Sequence, residues 1–171
     1  MLNKNILFRE VQRLPYFWFV NFCALCLAGV FWWGFIQQIV YGHPFGDKPM
    51  PDRLFVLFVL VMGILFPIAV YKSKLITEIR EDGLYIRLIP FHIRFIHFPI
   101  DYIRNVKTIT YNSLLRFGGY GIRYNFHGER AYNLRGKEGI EFYAEGKTIV
   151  IGSQQSVELE KALKSVMFTD I

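Results

Sequence analysis

The sequence predicts a membrane-anchored α+β protein. A two-helix transmembrane hairpin is expected to precede an antiparallel β-sandwich or open barrel with a C-terminal capping helix. Three observations predict this class: two long uncharged apolar stretches in the first half, short alternating segments between glycine-rich turns in the second half, and a final amphipathic segment. The predicted boundaries are 1–74 for the N-terminal flank and hairpin and 75–171 for the β domain.

Two uncharged apolar stretches, 16–36 and 54–71, predict the helices. The chain has 171 residues and is 53% hydrophobic and 18% aromatic, which is more apolar than an ordinary soluble domain of this size. At 1.5 Å of rise per residue, the stretches cover about 30 Å and about 27 Å, which matches a hydrocarbon core. Neither has a polar face, and the first is longer than a signal-peptide core, so both are predicted spans, at about 16–41 and 54–71. Gly63 and Pro67 are expected to loosen or bend the second span.

Positive charge on either side of the spans predicts their orientation. Cationic residues precede the first span and follow the second. Because cationic flanks resist translocation, we expect a multi-pass protein of the cell (inner or plasma) membrane with both termini cytoplasmic. The connector GHPFGDKPMPDR, in which two carboxylates balance two cations, is expected outside. The residues predicted at the membrane interface are Arg9, Arg13, Trp32, Trp33, Tyr41, Lys72 and Lys74.

Cys23 and Cys26 form a C-x-x-C spacing inside the first span. Redox and metal-binding uses of this spacing need a thiolate, which hydrocarbon strongly disfavours. We therefore interpret the cysteines as packing residues. With Ala24 and Ala28 they predict a small-residue face for close contact with the second span or with another copy of the chain.

Short alternating segments predict a β domain after the second span. Asp82-Gly83 is a strong hairpin signal between the strands LITEIR and LYIRLIP. A third strand is expected at 92–98, a single helical turn at 99–104, a strand at 105–111, and further strands at GIRYNF, RAYNL, GIEFYA and KTIVIG. Residues 155–167 predict a helix with one apolar face. Seven or eight antiparallel strands closed by a C-terminal helix are typical of a pleckstrin-homology-like (PH-like) sandwich or open barrel.

The motif GGYG at 118–121 has two interpretations, a phosphate-binding loop or a turn. Phosphate loops lead into a helix, whereas the residues after this motif alternate as a strand does, and no Lys-Ser/Thr pair follows. The glycines are therefore expected to supply positive φ or a bulge at a tight corner. The same loop presents Arg116, Tyr120 and Arg123, the residues that we expect to bind a ligand or a partner.

Catalytic, metal-binding and nucleic-acid-binding functions find little support. His92 and His97 lie five apart on one predicted strand, which directs them to opposite faces. No hydrolase, zinc-protease or P-loop motif is present, so we expect no enzyme, no cofactor and no metal site. Arginines and lysines are scattered along the chain, which argues against nucleic-acid binding. The first hairpin loop of the β domain is short and acidic, which disfavours a phosphoinositide site there.

The order of elements resembles a family of uncharacterised bacterial and archaeal membrane proteins that join two N-terminal spans to a bacterial PH-like domain. Five stretches carry the resemblance: FREVQR, FWWGFIQQIVYGHPFG, EIREDGLYIRLIPF, RFGGYGIRY and GKTIVIGSQQSVELEKAL. The resemblance covers nearly the whole chain and implies an architecture without catalytic residues.

Two functional hypotheses follow. In the first, the β domain is a cytoplasmic platform for protein interaction or assembly, with a protein partner or a second copy of the chain. In the second, the protein is a membrane sensor that binds a lipid or another apolar ligand. Membrane lipids are expected partners in both.

Overall fold

A computed structural model describes residues 5–169 of the protein, with side chains to residue 168. The chain forms two compact units. Pro15–Ser73 form the helical unit, and the residues up to Leu14 together with those from Lys74 onward form the sheet unit. Among the described residues the architecture is mixed α+β, with two long apolar helices and two sheets that do not close into a barrel.

The helical unit contains α1, Phe17–Val40, and α2, Asp52–Lys72. Both are long and apolar enough to cross a membrane. Within the most apolar 18 residues of each helix, 17% are buried in α1 and 11% are buried in α2. Each contains one π-helical segment, Ile36–Val40 in α1 and Val61–Leu65 in α2. The second segment includes Gly63, so the expected irregularity of this helix takes the form of a π-bulge.

Sheet A is antiparallel and contains β1 (Ile6–Arg13), β2 (Lys74–Arg80), β3 (Gly83–Ile89) and β4 (Ile96–Pro99) in that order. The sequence predicted no element before the first helix, but β1 occupies this flank and pairs with β2 along its whole length. The helical unit therefore lies, in chain order, within the connection between two paired strands.

Sheet B contains β5 (Arg104–Thr110), β8 (Glu138–Ala144), β9 (Lys147–Gly152), β7 (Arg130–Asn133) and β6 (Gly121–Tyr124) in that order. The expectation of a wholly antiparallel domain is wrong, because β7 and β9 pair in parallel. The chain passes from β7 to β8, and β9 then returns between them, so it runs in the same direction as β7.

Two short helical elements and one longer helix complete the sheet unit. A 3₁₀ turn at Ile100–Tyr102 confirms the expected helical turn before β5. Helix α3, Ser113–Phe117, stands where the sequence predicted only a turn. Helix α4, Ser156–Thr169, confirms the predicted C-terminal helix.

The main hydrophobic core joins both sheets to α4. Its fully buried members include Leu75 and Ile86 of sheet A, Phe142 of sheet B, and Leu159 and Leu163 of α4. A second, smaller core lies under α3 and contains Tyr111, Phe117, Ala131 and Val150. The second core fixes α3, and with it the GGYG turn, on sheet B.

The strand predicted at 92–98 is shorter and later than expected. Strand β3 continues to Ile89, the peptide bond before Pro90 is cis, and β4 begins at Ile96. Residues 90–95 form the β3–β4 loop, and its Phe91 and Ile93 are exposed. The apolar residues of this stretch produced the strand-like pattern, but in the structure they face outward from a loop.

Candidate functional site

The helical unit carries an apolar groove of about 790 Å³ on its surface. Both helices line it. The lining residues are Trp18, Asn21, Phe22, Leu25, Gly63, Ile64, Pro67, Ile68, Tyr71 and Lys72. The volume lies in the range of small-molecule sites, and the lining combines large apolar groups with a few polar ones.

The polar residues of the groove lie at the ends of its helices. Lys72 is the last residue of α2 and is exposed, and Tyr71 beside it is 62% exposed. On α1, Asn21 donates from Nδ2 to the Phe17 carbonyl oxygen at 2.6 Å, so its amide is partly occupied within its own helix. The groove therefore offers an apolar body with a cation and aromatic groups at one end.

Trp32 of α1 contacts the π-helical segment of α2. Trp32 Nε1 donates to the carbonyl oxygen of Gly63 at 3.3 Å, and a Cβ at Gly63 would lie 3.0 Å from that nitrogen. Glycine thus allows the Trp32 ring to approach the backbone of α2. Trp32 and Trp33 lie within α1, and Tyr41 follows its last residue.

Of the four residues in the predicted small-residue face of α1, the two alanines are buried within the protein and the two cysteines are not. Ala24 and Ala28 are buried at 4% and 6% exposure. Cys23 and Cys26 are free and exposed. They lie on the neighbouring side of α1, because residues one or two positions from a buried helical residue turn away from the contact.

The GGYG motif forms the turn between α3 and β6. Gly118 ends α3 in the left-handed region, and Gly119 and Gly121 also have positive φ, at 138° and 106°. Asn133 Oδ1 accepts a hydrogen bond from the Gly121 backbone at 3.0 Å. The expectation of positive φ at a corner is confirmed, and no long helix follows that could complete a phosphate loop.

Arg116 is held within the sheet unit by two carboxylates. Its guanidinium donates to Glu129 at 2.7 Å and 2.8 Å and to Glu141 at 2.5 Å. Hydrogen bonding from Arg116 lowers the pKa of Glu129. Burial alone would raise the Glu141 pKa, but hydrogen bonds from Lys107 and Arg116 outweigh it, and the net shift is downward. This geometry favours a structural role for Arg116.

Tyr120 and Arg123 remain on the surface at the turn. Tyr120 is 38% exposed, and Arg123 is exposed and donates from Nε to the Tyr120 carbonyl oxygen at 2.9 Å. Phe91 of the β3–β4 loop joins them in lining a hollow of about 340 Å³. The structure thus separates the predicted site residues: Arg116 binds internally, while Tyr120 and Arg123 share a surface with a loop that the sequence did not single out.

The cationic residues predicted at the membrane interface lie on strands β1 and β2 and at the end of α2. Arg13 ends β1 and lies opposite Lys74, which begins β2. Arg9 is further back on β1, where its Nε lies 3.4 Å from the buried carboxylate of Glu78. Lys72 ends the second long helix.

The sequence did not reveal a buried polar junction between β1 and the start of α4. Glu10 accepts hydrogen bonds from Ser153 Oγ at 2.6 Å and from the Gln154 backbone at 2.9 Å. Gln12 donates from Nε2 to the Gly152 carbonyl oxygen at 2.6 Å. Burial of these polar residues on one face of β1 inverts the usual alternation, so periodicity gave no signal for them.

The histidines do not assemble a metal centre. His92 lies in the β3–β4 loop and not on a strand, so the predicted placement of His92 and His97 on one strand is wrong. His92 Nδ1 accepts from the Leu88 backbone at 3.2 Å, and burial together with nearby Arg130 lowers the His92 pKa. Within residues 5–169, no group of three or more His, Cys, Asp or Glu side chains is arranged to hold a metal ion.

Comparison with known protein families gives a match over residues 2–169 to a family described as "Family of unknown function (DUF6141)". No curated protein and no solved structure matches the chain. Because the family match covers nearly the whole chain, both the apolar helices and the sheets are features within its span. The chain belongs to the DUF6141 family of unknown function.

Proposed function

We propose that this protein is a non-enzymatic integral membrane protein that binds an anionic lipid in the groove of its helical hairpin. The observation that carries the proposal is the groove itself, which has a volume of about 790 Å³, an apolar lining and Lys72 at one end. The apolar body fits acyl chains, and the ammonium group of Lys72 fits a phosphate or another anionic headgroup.

Helix length and strand pairing support insertion of the hairpin. Helices of 24 and 21 residues are about 36 Å and about 32 Å long, enough to cross a bilayer core. Arg13, four residues before the start of α1, pairs with Lys74, two residues after the end of α2. Paired residues lie side by side, which supports a topology with both ends of the hairpin on one face of the membrane. Cationic flanks favour the cytoplasmic face of the cell membrane.

The order of elements supports a PH-like assignment for the sheet unit. Strands β2–β9 follow the second helix, and α4 packs on the main core at the C-terminus. Strand β1 is an addition to that plan, and the parallel pairing of β7 with β9 departs from it. The proposal is therefore a PH-like module whose first sheet is completed by the segment before the membrane hairpin.

The groove is tested with variants of the full-length protein, purified in mild detergent and analysed by mass spectrometry for bound lipid. Ile68→Trp fills the groove, and Leu65→Trp is its matched control, because Leu65 is exposed on the same helix and does not line the groove. Lipid retention should fall with Ile68→Trp and stay at the wild-type level with Leu65→Trp. Lys72→Gln should weaken retention of anionic lipid about fivefold, the factor for one cation near an anionic headgroup. Equal retention in all four proteins would contradict the proposal.

A second candidate function is the protein-interaction platform. Leu115 of α3 is 86% exposed and Phe126 at the β6–β7 turn is fully exposed, so this helix and this turn present large apolar side chains. Exposed apolar groups can mark protein-interaction sites, and Phe is enriched at protein interfaces. The same purifications test it: a protein recovered in stoichiometric amount with wild type and lost with Leu115→Glu favours the platform, and its absence from every sample removes it.

A further inference from the structure

The β3–β4 loop leaves sheet A at the end where the chain enters and leaves the helical unit. Arg13 at the end of β1 pairs with Lys74, and Lys74 pairs on its other side with Ile89, the last residue of β3. The β3–β4 loop, residues 90–95, therefore begins at the edge of sheet A where β1 ends and β2 starts, next to the chain segments that lead into α1 and out of α2.

Sheet B places the GGYG turn at this same end. Gln12, one residue from the end of β1, donates to the Gly152 carbonyl oxygen at the end of β9. Strand β7 runs parallel to β9, and its last residue, Asn133, pairs with Gly121 at the start of β6. The hollow that Phe91 shares with residues 120–123 confirms that the loop and the turn are neighbours.

The side chains at this end combine exposed apolar groups with arginines. Phe91 is 72% exposed and Ile93 is 85% exposed, which are high values for large hydrophobic residues two positions apart in one loop. Arg94 and Arg123 beside them are exposed. At the opposite end of sheet A, the β2–β3 turn carries the acidic residues Glu81 and Asp82, whereas the loop at this end carries the basic residue Arg94.

We propose that Phe91, Ile93, Arg94, Tyr120 and Arg123 form a membrane-docking surface that binds the anionic leaflet into which α1 and α2 insert. The apolar side chains enter the boundary between headgroups and acyl chains, as those of peripheral membrane segments do. The guanidinium groups pair with lipid phosphates, and Tyr120 takes the interfacial position that aromatic rings prefer. The inference rests on the membrane insertion proposed above and adds a second, independent contact between the sheet unit and the bilayer.

The docking surface is tested in the full-length chain with Cys23→Ala and Cys26→Ala, reconstituted into phosphatidylcholine vesicles with or without phosphatidylglycerol. An environment-sensitive fluorophore is attached at Ile93→Cys. The matched control is Phe126→Cys, which is fully exposed at the β6–β7 turn, at the end of β6 away from Gly121. Both substitutions replace exposed side chains, so neither removes core packing.

The fluorophore at residue 93 should show blue-shifted emission and quenching by brominated lipid, more strongly with phosphatidylglycerol, while that at residue 126 should report water. Adding Arg94→Gln should lower the ratio of docked to undocked protein about fivefold, the factor for one charge at an anionic surface. Water-like emission at residue 93, or equal quenching at 93 and 126, would overturn the proposal. Loss of the chain from vesicles after an alkaline wash would overturn membrane insertion as well, whereas a retained chain with water-like emission at residue 93 would refute the docking surface alone.

Discussion

The sequence around Arg116 suggests a binding residue, whereas its contacts in the structure are those of a structural residue. From sequence, an arginine next to a glycine-rich loop beside aromatic residues predicts an exposed anchor. In the structure its side chain is 28% exposed and lies between the carboxylates of Glu129 and Glu141, which are 20% and 13% exposed. Lys107 also approaches Glu141, at 2.8 Å. Arg116 therefore holds α3 to sheet B.

Arg116→Met should lower the free energy of unfolding by about 2 kcal/mol, since it leaves two partly buried carboxylates with one fewer cation. Arg123→Met is the control and should change it by less than about 0.5 kcal/mol, because that side chain is exposed. Chemical denaturation in detergent, followed by circular dichroism, measures both. Equal effects of the two variants would contradict the structural role.

The contacts of Arg116 with Glu129 and Glu141 should make the stability of the fold depend on pH. The pKa values of Glu129 and Glu141 lie below the ordinary 4.5 in the folded protein. Groups of this kind stabilise the fold above pH 4.5, and the stabilisation is lost as pH falls through the lowered folded-state pKa values. The stability difference between wild type and Arg116→Met should therefore be full at pH 7 and shrink on acidification below pH 4.5. A difference that grows in acid would contradict this assignment.

Strand β1 is the element that joins the N-terminal flank to both sheets. It pairs with β2 by backbone hydrogen bonds, while Glu10 and Gln12 reach the segment Gly152–Gln154 between β9 and α4. The carboxylate of Glu10 accepts from groups just before the first turn of α4, where negative charge is favourable. One strand thus links sheet A, sheet B and the C-terminal helix.

Glu10→Ala should release β1, because it leaves the buried Ser153 hydroxyl and the partly buried Gln154 backbone amide without their acceptor. The expected cost is about 2 kcal/mol, typical of a buried group that loses a charged partner. Hydrogen–deuterium exchange should show faster exchange of residues 6–13. Glu158→Ala, at an exposed position in the first turn of α4, should leave that exchange unchanged. Slow exchange of β1 in Glu10→Ala would show that the junction does not hold the strand.

At the scale of elements, the sequence predicted what local patterns encode and missed what tertiary contacts decide. Two apolar helices, the β2–β3 hairpin and α4 follow from composition, a turn dipeptide and helical periodicity. Strand β1 was missed because its inward residues are Glu10 and Gln12, and α3 because five residues carry too little periodicity. The parallel pairing of β7 and β9 depends on strand order, which no local pattern contains.

For the candidate sites, the sequence supplied residues but not their neighbours. Tyr120 and Arg123 were predicted to form a binding surface. Their proximity to Phe91 arises because the β3–β4 loop lies beside the GGYG turn of sheet B. Gly63 and Pro67 were predicted to disturb α2, but the groove exists only when that helix lies against α1. Local motifs thus identified single residues, whereas long-range contacts decide which residues lie together.

At the scale of the whole molecule, the chain places a helical hairpin inside a β-hairpin connection. Because Arg13 pairs with Lys74, the sheet unit holds the two ends of the hairpin side by side. The pairing of β1 with β2 therefore joins the chain segments before and after the helical unit. We propose that both helices cross the membrane and that the sheet unit lies on the cytoplasmic face.

Cysteine accessibility in intact cells tests this claim most directly. In the full-length chain with Cys23→Ala and Cys26→Ala, single cysteines are placed at Lys48, exposed in the connector, and at Gln154, exposed before α4. A membrane-impermeant maleimide should label Lys48→Cys from outside and should label Gln154→Cys only after permeabilisation. Labelling of Gln154→Cys in intact cells, or protection of both positions until permeabilisation, would contradict a hairpin that crosses the membrane with the sheet unit inside.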